Sequence, residues 1–345
     1  MRLSSRTALA AAAVACATTL AACGSATTGS DDEDTLHVVA STNVWGSVAQ
    51  AVAGDRIEVE SLITEPSADP HSYEASPLDA AAISDASLVV YNGGGYDQFV
   101  EDILESGSGN PATVEAFALF ESGEGSDLHA DHDHEDTHDT ADSHDSHEAA
   151  GTDDTAGSTG HSHDGHDHSG VNEHVWYDLA TADAVAHAVA DRLTELDPEG
   201  AATYEANAAA FHDNLHAVAD RVASIAADHP DAPVAQTESI ATYLVTAAGL
   251  RDEVPADFAN AIENGTDPSP AAIAATRQLL LDKQVRALLY NPQTEDKVSR
   301  EMRAAAEASG IPVVEVSETL PDGVDYIQWQ TRTAEALASA LDTES

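Results

Sequence analysis

From Thr35 onward, short β-branched runs alternate with Ala-rich stretches, and this rhythm constrains the chain more than any other feature. It is the pattern of βαβ units and a parallel sheet. Leu36-His37-Val38-Val39-Ala40 reads as a buried strand, Val44 to Ala53 as a helix ended by Gly54, and Ile57 to Ile63 as a second strand. Pro77 to Ser84 reads as a helix with Ser76 as N-cap. Leu88-Val89-Val90-Tyr91 is a third strand, and a helix through Leu104 and a weaker strand near Thr113 to Phe117 follow. The rhythm returns at Ala232 to Gln236, with strands near Val285 to Tyr290 and Ile311 to Val316 and a closing helix from Tyr326 to Leu341. Between the two series lie a helix at Leu179 to Leu196, stopped by Asp197-Pro198, and an Ala-, Glu- and Asp-rich run from Pro198 to Ala227. At about 1.5 Å per residue that run is roughly 45 Å long, enough to join two lobes. The expected fold class is α/β: two lobes, each a mostly parallel β-sheet flanked by helices, bridged by one long α-helix.

Glu121 to Gly170 breaks the rhythm. It holds ten histidines and fifteen acids, no Lys or Arg, and Leu128 as its one apolar residue beyond alanine. Such a segment cannot bury enough surface to offset chain entropy and is expected to be a disordered insertion. Its histidines (His129, His132, His134, His138, His144, His147, His161, His163, His166 and His168) alternate with Asp and read as a low-affinity metal-collecting tract. The whole chain has 13 Lys+Arg against 62 Asp+Glu, a formal charge of −49. A surface that acidic repels phosphate backbones, so nucleic acid is excluded as a partner.

The first residues read as an address. Arg2 and Arg6 precede an uncharged Ala-rich run from Thr7 to Leu20, and Leu20-Ala21-Ala22-Cys23 has the form of a lipobox. The expected partition is a signal peptide at 1–22, a tether at 23–34 lipidated on Cys23, an N-terminal lobe at 35–197 containing the insertion at 121–170, a bridging helix at 198–228 and a C-terminal lobe at 229–345. Cys16 lies within the cleaved part, so no disulfide is expected. Stable anchoring requires more than one acyl chain on Cys23.

Four side chains sit in loops after strands or at the border of the insertion. They are His71 in Asp69-Pro70-His71-Ser72-Tyr73-Glu74, His174 in Asn172-Glu173-His174-Val175-Trp176-Tyr177-Asp178, Glu238 in Gln236-Thr237-Glu238-Ser239, and Glu318 in Val316-Ser317-Glu318-Thr319-Leu320. Open α/β sheets place ligand sites at the carboxyl ends of their strands, so the four could converge. Two imidazoles and two carboxylates close a shell around a divalent cation. A lone loop histidine is more often solvated than coordinating, and Glu318 alone could be surface charge. Residue order by itself does not decide between these readings.

Three other features carry less. His212 and His216, four apart on the long helix, are read as solvated because no nearby carboxylate motif closes a shell. Gly93-Gly94-Gly95 is read as a turn rather than a phosphate loop, and Asn291-Pro292-Gln293 could line the crevice.

On these segments the chain resembles the solute-binding lipoproteins of zinc and manganese ABC importers, from Leu36 to about Leu341. Pro70-His71-Ser72-Tyr73-Glu74 and Glu173-His174-Val175-Trp176-Tyr177-Asp178 resemble the family's first and second histidine motifs, and the His-rich insertion between them is typical of zinc-handling members. Thr237-Glu238-Ser239-Ile240-Ala241-Thr242-Tyr243-Leu244 resembles the third motif, which carries His in many zinc members and Glu in many manganese ones. Ser317-Glu318-Thr319-Leu320 resembles the fourth, where Asp is common, and Pro198 to Ala227 matches the connecting helix. The resemblance implies a monomeric receptor that changes shape only modestly. It would be anchored to the cell membrane outside the cytoplasm, bind Zn2+ (or Mn2+) at His71, His174, Glu238 and Glu318, and deliver it to an ABC permease and its ATPase. Two carboxylates favour a harder cation and the histidine tract favours zinc; zinc is the expected cargo and manganese the alternative.

Two rival readings differ in class. A secreted zinc hydrolase would need an open coordination position and a general base, and no His-Glu-x-x-His helix is present. A surface metal buffer would need no transporter at all. The chain is expected not to be an enzyme.

Overall fold

The computed structural model describes residues 36–66, 68, 70–107, 109–123 and 171–343. The expected signal segment and tether, Cys23, and the tract histidines from His129 to His168 lie outside them. The described residues form one compact unit.

Among the described residues, two four-stranded sheets, all parallel, repeat one topology. In the first, β1 (Val38–Thr42), β2 (Val59–Ile63), β3 (Leu88–Tyr91) and β4 (Ala112–Glu115) lie in the order β2-β1-β3-β4. In the second, β5 (Pro233–Gln236), β6 (Arg251–Asp252), β7 (Leu288–Tyr290) and β8 (Val313–Glu315) lie in the order β6-β5-β7-β8. In each the chain steps to one side of the opening strand and then to the other, which creates a switch point beside β1 and β5. Every residue of β1 and β3 is buried, as strands covered by helices on both faces must be.

Helices α1 (Asn43–Ala53), α2 (Pro77–Asp85), α3 (Gln98–Ser106) and α4 (Ala116–Ser122) flank the first sheet's strands in sequence. Gly54 ends α1 at φ 61°, where only glycine sits without strain. Ser76 caps α2 through a capping box with Asp79, and Pro77 opens the first turn. Helix α4 runs to Ser122, so the first two residues of the expected insertion, Glu121 and Ser122, are helical.

After the insertion come α5 (Leu179–Leu196) and α6 (Ala201–Asp228). The second half carries α7 (Thr242–Ala247), α8 (Ala256–Glu263), α9 (Pro270–Leu281), α10 (Lys297–Ser309) and α11 (Tyr326–Asp342). The 28 residues of α6 extend about 42 Å. Tyr204, Ala208, Phe211, Leu215, Val218, Val222 and Ile225 form one buried stripe along it at alternating spacings of four and three. This stripe belongs to a continuous core that also takes in Val38 and Leu88 of the first sheet, Val234 and Leu289 of the second, and Leu337 of α11. No helix among the described residues is long and apolar enough to cross a membrane.

Candidate metal centre

His71 lies in a short 3-10 turn, Pro70–Ser72, in the connection after β2. His174 ends the irregular stretch before a second such turn, Val175–Tyr177, and is fully buried. Glu318 follows β8 and is 1 % exposed. The three come from separate parts of the chain, yet each presents a ligand atom within 4.8 Å of the other two. The Nε2 atoms of His71 and His174 are 3.3 Å apart, and His71 Nε2 is 3.9 Å from Glu318 Oε2.

The surroundings set the chemistry of each group. Asn172 Nδ2 donates to the carbonyl of Ser239 at 2.8 Å, which orients the amide so that Oδ1 faces His174. Oδ1 accepts from the backbone N–H of His174 at 2.9 Å and lies 3.0 Å from its Nδ1. An amide oxygen can only accept, so Nδ1 carries the proton and Nε2 of the neutral ring keeps its lone pair for the crevice. Glu318 is held at both oxygens: Asn291 Nδ2 donates to Oε1 at 2.7 Å and the Tyr96 hydroxyl to Oε2 at 3.3 Å. Its backbone N–H donates to Gln293 Oε1, and Gln293 also reaches the carbonyl of Ala68, three residues before His71.

Tyr96 owes its position to the turn after β3. Gly93, Gly94 and Gly95 all adopt positive φ, and the N–H groups of Asn92 and Gly93 donate to Asp97 at 2.7 and 2.8 Å. A phosphate cradle would need those donors, so the triplet is a turn. Burial pushes the Asp97 carboxyl up to about 6, although its hydrogen bonds oppose the shift. Tyr96 packs edge-on against His71 at 4.8 Å and lies 4.6 Å from the Trp176 ring, which in turn stands edge-on to His174.

Glu238, the fourth expected residue, is also buried, beside the cluster of His71, His174 and Glu318 rather than among its members. Its Oε1 accepts from the Thr294 hydroxyl. It stands in a patch of carboxylates that sequence reading did not anticipate. Glu173, His174 and Glu263 present ligand atoms within 4.8 Å of one another. Burial, followed by the charges of Glu173 and Glu238, pushes the Glu263 carboxyl up to about 8. Glu263 ends a helix with no motif around it, and its role depends on packing across residues far apart in sequence.

Residues 172–177 also tie the halves together. The Tyr243 hydroxyl donates to the carbonyl of Asn172 at 2.5 Å, and Tyr326 donates to that of Trp176 at 2.6 Å. Asn43 Nδ2 donates to the carbonyl of Leu320, whose N–H donates back to Asn43 Oδ1.

His212 and His216 are not simply solvated: Asp183 of α5 places Oδ2 2.9 Å from His212 Nδ1, supplying the carboxylate that seemed to be missing.

The fold and the crevice define a two-lobed α/β binding protein in which strand-end loops gather imidazoles and carboxylates. The chain belongs to the ZnuA family, zinc-uptake complex component A, periplasmic, which it matches over residues 38–340. It is 27% identical over 340 residues to the high-affinity zinc uptake system protein ZnuA of Bacillus subtilis, covering 96% of each chain. It is 27% identical over 201 residues to the manganese-binding lipoprotein MntA of Halalkalibacterium halodurans, covering 56% of this chain and 51% of that one. Among solved structures, the periplasmic zinc-binding protein TroA of Treponema pallidum has the same fold. Its TM-score is 0.65 at 17% identity, over 89% of this chain and 99% of that one. The chain is thus a substrate-binding component of a metal ABC transporter and not an enzyme.

Proposed function

We propose that this chain captures Zn2+ outside the cytoplasm, lipid-anchored through Cys23, and hands it to the permease of an ABC importer driven by its ATPase. His71, His174 and Glu318 hold the ion, and Glu238 is the fourth ligand. The observation that carries the reading is the 3.3 Å separation of the two Nε2 atoms with a buried carboxylate beside them. Two nitrogens bound tetrahedrally at about 2.0–2.1 Å from zinc lie roughly 3.3–3.4 Å apart. The lone pair of His174 already faces that point. Glu238 enters through the carboxylate patch, since its charge acts on Glu263, which shares a 4.8 Å cluster with His174. Ligands from both halves make the ion a cross-link between them. The continuous core and the hydrogen bonds from Tyr243, Tyr326 and Asn43 limit the movement that capture requires.

Zinc is favoured over manganese by the imidazole pair and by the ten histidines of the tract, while the two carboxylates favour the harder ion. Metal analysis of the full chain, followed by competition between the two ions for one site, separates the readings. Zinc should remain bound against excess Mn2+, and His71→Ala should lose tight binding. Displacement of zinc by stoichiometric Mn2+ makes the chain a manganese receptor. Full affinity in His71→Ala overturns the ligand assignment. The anchor is tested separately: Cys23→Ser should release the protein from the membrane fraction, and unchanged fractionation refutes the lipid attachment.

A further inference from the structure

We propose a second metal site, built by Asp183, His187 and His212 across the packed helices α5 and α6, that takes a zinc-class divalent cation. The two helices follow one another through a short connection and pack closely. Asp183 and His187 are four apart on α5, and His212 and His216 are four apart on α6, so each pair shares a helix face. The packing sets those faces against each other. Asp183 Oδ2 lies 2.9 Å from His212 Nδ1, and Asp183 Oδ1 lies 3.9 Å from His187 Nε2. A ligand atom from each of the three falls within 4.8 Å of the other two. The tetrahedral edge expected around zinc is about 3.3–3.4 Å, so three ligand atoms already within 4.8 Å of one another need only side-chain adjustment to close the set.

An independent observation also points to a cation ligand. Asp183 is 4 % exposed, and its Oδ1 is buried without a hydrogen-bond partner among the described residues. A buried carboxylate oxygen left in that state is costly. The groups within ion-pair distance of this carboxylate among the described residues are two histidines. An ion between Oδ1, His187 Nε2 and His212 Nδ1 would satisfy the oxygen directly.

His216 completes the arrangement from behind. Its Nε2 lies 3.0 Å from His212 Nε2, on the far side of the His212 ring from Asp183, with the ring planes at 82°. Without metal, His212 donates from Nδ1 to Asp183 and can accept at Nε2 from His216. With metal on Nδ1, the His212 proton resides on Nε2 and is donated to His216 Nε2, whose own proton resides on Nδ1. Both rings stay neutral and the change is tautomeric, so His216 acts as the outer partner that orients a ligating imidazole. His187 is 55 % exposed at its side chain and leaves a coordination position open to solvent. Three protein ligands and an open position make this an exchangeable site, weaker than the strand-end crevice. When occupied, it pins α5 to α6.

The test is residue-resolved chemical modification of histidines by diethyl pyrocarbonate in the full chain, titrated with Zn2+ alone. His187 and His212 should become protected together, at zinc levels above those that protect His71. In Asp183→Asn the midpoint for both should rise at least about tenfold while His71 keeps its own midpoint. Asp183 is buried, so His187→Gln on the exposed side is the second variant, and it should shift His212 protection to the same degree. Unchanged His187 reactivity at saturating zinc overturns the site. Protection of His212 and His216 with His187 still reactive overturns the ligand set. A change confined to His71 would bear on the crevice instead and leaves the helix-pair site refuted.

Discussion

Replacing Asn172 with Ala tests whether the protonation of His174 is set from outside the crevice. The substitution removes the acceptor of the Nδ1–H at 3.0 Å, the acceptor of the His174 backbone N–H at 2.9 Å, and the donor to Ser239 at 2.8 Å. Without Oδ1, nothing on the Asn172 side chain holds the proton on Nδ1, and the tautomer that blocks Nε2 becomes accessible. Losing an outer partner of a metal-binding histidine lowers metal affinity by about 10- to 100-fold, which corresponds to about 1.4–2.7 kcal/mol. The assay is competition for Zn2+ against a chromophoric chelator at neutral pH, with wild-type and variant full chains. Any background from the histidine tract is common to both. Asn172→Asp separates the causes, because it keeps the acceptor oxygen and loses the bond to Ser239. The Asp variant should stay within a few-fold of wild type while Ala falls by the full amount. Equal losses in the two would show that the link to Ser239, not the tautomer, matters. An Ala variant within twofold of wild type would refute the reasoning.

Other expectations follow from the same structure. Glu263 titrates near 8 in the folded protein, against about 4.3 for a free Glu side chain, so the folded state holds the extra proton between those values. Its contribution to metal-free stability is therefore fullest below about 4.3, declines as pH rises, and levels off above 8. Glu263→Gln should melt progressively higher than wild type from pH 5 to 8, and a pH-independent difference would contradict this. Gly94→Ala should lower the denaturant midpoint. Its φ of 65° costs an L-residue about 1–2 kcal/mol, and the added Cβ would stand 2.7 Å from the Phe117 ring. An unchanged midpoint would show that the turn relaxes freely. Tyr96→Phe removes the hydroxyl bond to Glu318 and should weaken zinc binding by about 0.5–1.5 kcal/mol, as read in the same chelator competition. No loss would mean that Asn291 alone fixes the carboxylate.

The parallel strands were legible because buried β-branched runs between helix signals leave few alternatives. Leu88–Tyr91 and α5 fall at their expected limits, and the Ser76-Pro77 start of α2 is visible as a cap followed by a permitted proline. The two-residue β6 and the short α7 and α8 were not anticipated, since segments of that length carry too little periodicity. His71, His174 and Glu318 stand in loops after strands or at the border of the insertion, but residue order left their role open and the family resemblance singled them out. What surrounds them could not be picked out. Tyr96 meets Glu318 across 222 positions, and Gln293 meets Ala68 across 225. Glu238 shows the converse limit: a motif locates a residue in the crevice but does not say which neighbour its carboxylate will choose, and here one neighbour is Thr294. Likewise His212 looked unsupported along its own helix because its carboxylate partner lies 29 residues away on α5.

Anomalous scattering at the zinc edge from crystals of the full chain loaded with one equivalent of Zn2+ tests the central claim most directly. One strong peak is expected about 2.0–2.1 Å from the Nε2 atoms of His71 and His174, with Glu318 on the same ion. A peak elsewhere, with those three side chains bound to no common atom, would contradict it.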